Sequence, residues 1–117
     1  MDGKKTKQWG FRSKIWLELE GHPVIGEGRM AMLQSIERNG SIMHASREIG
    51  IPYRRMRGAI QDMEKAVGRP LVKAHRGGEE GGGARLTTIA HELLDSYNRI
   101  NDLFKKEINT RFEQIIG

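Results

Sequence analysis

The sequence predicts a mainly α-helical fold with a small β component: a winged helix-turn-helix with an N-terminal strand and a long C-terminal helix. Three observations predict it. Two short amphipathic stretches meet at a corner containing Gly50, a glycine-rich segment separates two short apolar runs, and apolar residues recur three or four positions apart from residue 88 to the end.

The N-terminal residues 1–10 (MDGKKTKQWG) are basic and polar and read as a flexible tail. They have no apolar core behind them, so they form neither a secretory signal nor a membrane anchor. Segment 11–20 places Ser13, Ile15, Leu17 and Leu19 on one face and Arg12, Lys14, Trp16, Glu18 and Glu20 on the other, the period of a strand. Gly21, His22, Pro23 and Gly26 then interrupt it. Residues 27–39 carry Met30, Leu33 and Ile36 on one helical stripe, with Gly40 as a C-terminal stop.

Ser41 is an N-cap for a second, short helix in which Ile42, Ala45 and Ile49 share a face and which Gly50 closes. Pro52 fits the first turn of a third helix, where its missing N–H has no partner to lose, and Tyr53, Met56, Ile60, Met63 and Val67 recur at helical spacing up to Gly68. Residues 70–74 read as a short strand and 85–87 as its partner. The stretch 76–84 between them, with five glycines and no large apolar side chain, reads as a loop. From residue 88 onward Ile89, Leu93, Tyr97, Ile100, Phe104, Ile108, Phe112 and Ile115 form one long amphipathic stripe. A unit this small does not cover such a stripe alone, so Leu93, Tyr97, Ile100, Phe104, Ile108 and Phe112 are expected to pair with a second copy. The expected organisation is a tail at 1–10, a winged helix-turn-helix at 11–87 and a dimerisation helix at 88–117.

Glycine at the corner and small Ser46 four residues earlier allow two helices to cross closely. In the third helix, at about 100° per residue, Arg54 and Gly58 lie nearly opposite the apolar stripe and Arg55 and Arg57 flank that outer face. Three arginines in the first turns of an exposed helix suit entry into a major groove, where Arg pairs with guanine O6 and N7. The chain's net charge of +5 agrees with a polyanionic partner. That charge sits between residues 41 and 86, with 9 basic and 5 acidic side chains, and not on residues 88–117, with 4 and 5. A basic membrane-surface helix at the C-terminus is therefore not indicated. The candidate DNA-contacting residues are Ser41, Arg47, Pro52, Tyr53, Arg54, Arg55, Arg57, Lys73, His75, Arg76 and Arg85.

The segments PVIGEGRMAML at 23–33, NGSIMHASREIGIPYRRM at 39–56, GRPLVKA at 68–74 and GGGARLT at 81–87 resemble the N-terminal winged helix-turn-helix domain of ModE, the molybdate-responsive transcription regulator family, itself similar to LysR-type DNA-binding domains. The resemblance runs from about residue 14 to about residue 97. It implies that the helix with Tyr53, Arg54, Arg55 and Arg57 reads operator DNA, that the 76–84 loop is a wing, and that the first and last helices form a homodimer on a pseudo-palindromic duplex. It also implies a link to molybdate or tungstate metabolism. Ala74 stands where the family tends to have arginine, and the phosphate contact then falls to His75 or Arg76. No residues after the long helix build an oxyanion-binding domain, so no effector domain and no oxyanion effector are expected in this chain. The alternative is a protein-interaction or architectural module without sequence readout.

Other chemistries find no residues. The chain has no cysteine, hence no thiolate metal site, thiol nucleophile or disulfide, in keeping with a reducing cytoplasm. His22, His44, His75 and His91 form no HxxxH or HExxH pair, and the glycine loop lacks the GK[ST] of a nucleotide-binding P-loop. No metal, cofactor or enzymatic activity is expected.

Overall fold

The computed structural model describes residues 8–75 and 83–116. A β-hairpin of β1 (Leu17–Leu19) and β2 (His22–Ile25) leads into three helices, α1 (Glu27–Asn39), α2 (Ile42–Ile49) and α3 (Tyr53–Val67). A second hairpin, β3 (Val72–His75) and β4 (Gly83–Leu86), precedes α4 (Thr88–Ile116). This is a winged helix-turn-helix, mainly α-helical with two small antiparallel sheets.

The three central helices begin and end where the local sequence marks them. Ser41 Oγ accepts from His44 N at 3.2 Å, an N-cap that satisfies one of the unpaired N–H groups of the first turn. At the corner, Gly50 adopts φ 84°, and its N–H and that of Ile51 both reach Ser46 O, at 2.9 and 3.0 Å. A side chain at that φ is strained, so the α2–α3 corner requires glycine. Pro52 stands one position before the helix, at ψ 142°, and not within its first turn. Its carbonyl nevertheless accepts from Met56 N at 3.1 Å, so it caps α3 by its backbone.

The N-terminal region differs from the sequence reading. Burial alternates as the period of two requires, with Ser13, Ile15 and Leu17 half-buried and their neighbours exposed. Only residues 17–19 join a ladder, however, because their partner is the stretch that reads as a break. Glu20 and Gly21, at φ 52° and 81°, form a two-residue turn. The chain then returns as β2, with Leu17 opposite Ile25 and Leu19 opposite His22. Pro23 is tolerated because a two-stranded sheet has only edge strands. Leu19, read on the same face as Ile15 and Leu17, lies beside the turn and is exposed.

The second hairpin sits closer to its tip than expected, by one or two residues. Thr87 N donates to Leu71 O at 3.0 Å and Thr87 Oγ1 to Pro70 O at 2.8 Å, closing the hairpin's base. The same Oγ1 accepts from Ala90 N at 3.3 Å, so Thr87 opens α4 and does not extend the strand.

One core joins these elements, built on Ile25, Leu33, Ile36, Met56, Met63, Leu71 and Ala90, each at most 1% exposed. Tyr97 also belongs to it. Expected on the dimer face, it is 3% exposed within a single chain, and its hydroxyl donates to Ile15 O at 2.8 Å. Burial, with Glu27 nearby, raises its pKa above the usual phenol value and keeps the hydroxyl a donor. The reason is the path of residues 11–15, which run along α4 and cover part of its stripe. The Phe11 ring packs 5.6 Å from that of Phe112. Leu93, packed against the core, and Ile108 and Phe112, beside the arm, are half-buried by their own chain, while Ile100 and Phe104 stay exposed at 51% and 46%. The radius of gyration, 18.7 Å, exceeds the ~13 Å of a compact chain of this length, because the far half of α4 projects.

Candidate nucleic-acid interface

The α1–α2 pair is locked by polar bonds that position everything downstream. Ser35, fully buried on α1, donates Oγ–H to Glu48 Oε1 at 2.5 Å. Arg38 Nη2 reaches the same oxygen at 2.7 Å and Asn39 Nδ2 at 3.0 Å. These donors, with the Arg38 charge, hold the Glu48 carboxyl well below the usual carboxylate range, at about 2. The residues lie nine to thirteen positions apart, beyond the reach of any local pattern.

Helix α3 is anchored from both sides. Met56, Ile60 and Met63 are buried on its inner face. Its carboxylates are used within the fold: Asp62 faces Arg29 at 3.6 Å, and Glu64 Oε2 accepts from Leu71 N at 2.8 Å and Val72 N at 3.2 Å. Glu64 thereby ties the helix to the base of the second hairpin, a role the sequence reading did not assign to it. No spacing rule marks it.

The first turns of α3 then carry cations only. Arg54, Arg55 and Arg57 are exposed, and among the described residues none has a carboxylate within 4.0 Å. Arg57 donates to Tyr53 Oη at 3.2 Å and lies 5.9 Å above its ring, so this pair is held together while Arg54 and Arg55 stand free of it. Gly58 lies one turn beyond Arg54, and a Cβ built on it meets nothing within 4 Å. Among the described residues nothing requires a glycine there.

Of the remaining candidates, Ser41 caps α2, and Arg47 is exposed with its guanidinium 3.7 Å from Met43 Sδ. Lys73 and Arg85 are direct cross-strand partners in the β3–β4 register. Both are exposed. Like charges opposite one another destabilise a hairpin, so this register gathers positive charge without an internal gain. Beside them, the His75 ring fills the space a Cβ on Gly83 would need, 2.6 Å from that position. Ala84 N donates to Gly40 O at 2.9 Å, docking the hairpin on the α1–α2 corner. Arg76 and most of the expected 76–84 loop lie outside the described residues.

On the far half of α4, Leu103 is 71% exposed beside Ile100 and Phe104. It falls off the stripe counted from Tyr97 and was not among the expected contact residues. No helix among the described residues is long and apolar enough to cross a membrane.

No family model matches the chain. It is 40% identical over 76 residues to the molybdenum-pterin-binding protein MopB of Rhodobacter capsulatus, covering 65% of this chain and 28% of that protein. It is 34% identical over 96 residues to the transcriptional regulator ModE of Yersinia pestis, covering 82% and 36%. The chain thus spans about a third of the length of these relatives, whose names are those of regulators and molybdenum-binding proteins, not of enzymes. Among solved structures, the CbnR DNA-binding domain in its DNA complex superposes with a TM-score of 0.57 at 17% identity, covering 75% of this chain and 95% of that one. CbnR, a LysR family transcriptional regulator, gives 0.54 at 18%, covering 72% and 27%. At these identities the likeness establishes the fold.

Proposed function

We propose that this homologue of the ModE and Mop molybdenum proteins, folded as a LysR-type winged helix, is a sequence-specific DNA-binding transcription regulator linked to molybdate or tungstate metabolism. The observation that carries the reading is the division of charge on α3. Its carboxylates are paired with groups on other elements, Asp62 with Arg29 at the surface and Glu64 with the base of the second hairpin, while Arg54, Arg55 and Arg57 are exposed with no carboxylate partner among the described residues. Arg54 and Arg55 read base edges in the major groove, Arg57 is held against Tyr53, and Tyr53 packs on a sugar or thymine methyl. Ser41 and Arg47 approach phosphates from the corner, where the Pro52 ring packs beside the sugar-phosphate backbone, and Lys73, His75, Arg76 and Arg85 approach phosphates from the wing.

A homodimer is part of the same reading. Ile100, Leu103 and Phe104 form an exposed apolar patch on the projecting half of α4. Arg99 and Glu107 stand four residues on either side of Leu103, so an antiparallel pair of α4 helices crossing there sets each Arg99 near Glu107 of the second copy. Two recognition helices related by a two-fold axis call for a pseudo-palindromic site. The molybdate link rests on the names of the relatives, one a molybdenum-pterin-binding protein and one the transcriptional regulator ModE.

The test is selection of bound duplexes from a random-sequence pool at near-physiological salt, with and without molybdate. The expected result is a two-fold symmetric motif whose half-sites lie about one helical turn, or a multiple of it, apart. Arg54→Ala or Arg55→Ala then costs roughly 1–3 kcal/mol and relaxes base preference, while Lys73→Ala weakens all sequences alike and lowers the salt slope by about one. Salt-sensitive binding with no motif refutes sequence readout, and no binding at all favours an interaction module.

A further inference from the structure

The N-terminal arm ahead of β1 crosses α4 and is pinned to it at two points. Phe11 packs on Phe112, and Ile15 O accepts from the buried Tyr97 hydroxyl. Between the pins the arm and α4 line an open, solvent-facing recess of about 380 Å³. Arg12 and Lys14 from the arm and Lys105 from α4 line it, with Glu27 as its one acid, so the local charge is 3 − 1 = +2. Among the described residues none of these three cations has a carboxylate within 4.0 Å. Glu27 is also the first residue of α1, whose N-terminal N–H groups receive no side-chain cap and add positive partial charge at the rim. Phe11 and Ile108 supply apolar wall.

We propose that this recess binds a phosphate monoester with an apolar or aromatic body, a molecule of mononucleotide size. Three cations around one recess repel one another, and an anion among them relieves that repulsion. A phosphate monoester approaches two negative charges at neutral pH, its second pKa being about 6, which matches the local +2. The volume falls within the roughly 300–1,000 Å³ of small-molecule sites, and a bare tetrahedral oxyanion leaves most of it empty. The apolar wall gives a ring or aliphatic body a surface to cover. A ligand held by Arg12, Lys14 and Lys105 together ties the arm to α4, the helix that carries the proposed dimer contact.

Calorimetric titration of the full chain, without DNA, tests this independently of the DNA reading. The ligands are adenosine 5′-monophosphate, flavin mononucleotide, adenosine, inorganic phosphate and sodium molybdate. The expected result is saturable binding of at least one of the two nucleotides with Kd below about 1 mM, and binding of adenosine and both inorganic anions at least about tenfold weaker. Lys105→Gln and Arg12→Gln each weaken nucleotide binding about fivefold or more, with helical circular dichroism and Tm unchanged. The proposal is overturned if neither nucleotide binds up to about 10 mM, if adenosine or the inorganic anions bind as tightly, or if both variants bind as the parent does. Loss of DNA affinity in Lys105→Gln without any nucleotide binding also overturns it, in favour of a DNA phosphate at this place.

Discussion

Gly58→Ala separates what the fold needs from what the proposed DNA surface needs. Within a helix, glycine is less favourable than alanine by about 0.8–1.0 kcal/mol, and Gly58 stands inside α3 with open space where a Cβ would go. The substitution therefore adds no clash and removes the entropic cost, for an expected gain of about 0.8 kcal/mol. For a domain of this size that raises Tm by roughly 3 °C, measured by thermal denaturation followed by circular dichroism. Seen from the DNA the same position has the opposite sign. One turn beyond Arg54 on the outer face, the glycine lets the helix backbone come close to the groove, and a methyl group there displaces it. An affinity loss of about 1–3 kcal/mol, or roughly 5- to 150-fold in Kd, is expected by fluorescence anisotropy on the selected duplex. A lower Tm refutes the packing argument. A higher Tm with unchanged affinity refutes the placement of the outer face of α3 against DNA.

Three further outcomes follow from the geometry. Leu103→Arg removes an apolar side chain from both sides of the proposed two-fold contact, about 1.5–3 kcal/mol per copy, so the dimer Kd by sedimentation rises more than about 100-fold; an unchanged mass refutes the α4 contact. Glu64→Ala leaves Leu71 N and Val72 N without their acceptor and lowers stability by about 1–3 kcal/mol, with faster amide exchange at Val72; Glu64→Gln recovers part, and a loss below about 0.5 kcal/mol excludes the tie. Glu48 has a folded pKa of about 2 against an ordinary 4.5, so its stabilising effect is full above pH 4.5 and is lost as pH falls towards 2. The stability difference between the parent and Glu48→Gln therefore shrinks across that window in an acid titration, and a constant difference counts against the network.

The bounds of α1, α2 and α3 were legible because their signals lie within a few residues: Ser41 as cap, Gly40, Gly50 and Gly68 as stops, and one apolar stripe per helix. The arginines of α3 were legible as an outer face for the same reason. The first hairpin was not, since Gly21 and Pro23 mark a break in sequence and become, respectively, a turn and a tolerated edge residue only when Ile25 returns to meet Leu17. Nor was the role of Glu64 or Glu48, whose partners are set by how elements pack.

The α4 stripe shows where the division falls. Its period of three to four and its length are properties of the sequence, since side-chain spacing on a helix depends on the helix alone. Which of those residues remain available to another chain depended on the arm that crosses them. Tyr97 went into the core, Ile108 and Phe112 were half covered, and Ile100, Leu103 and Phe104 stayed exposed. The sequence by itself determined the helices, their caps, the arginine-bearing face and the apolar stripe, because each is written in contacts between near neighbours. Only the tertiary structure decided which charges were paired between elements, which apolar surface was left over and where the arm and α4 line a cationic recess. Those depend on residues brought together from up to 101 positions apart, as Phe11 and Phe112 are, and no local pattern encodes the meeting.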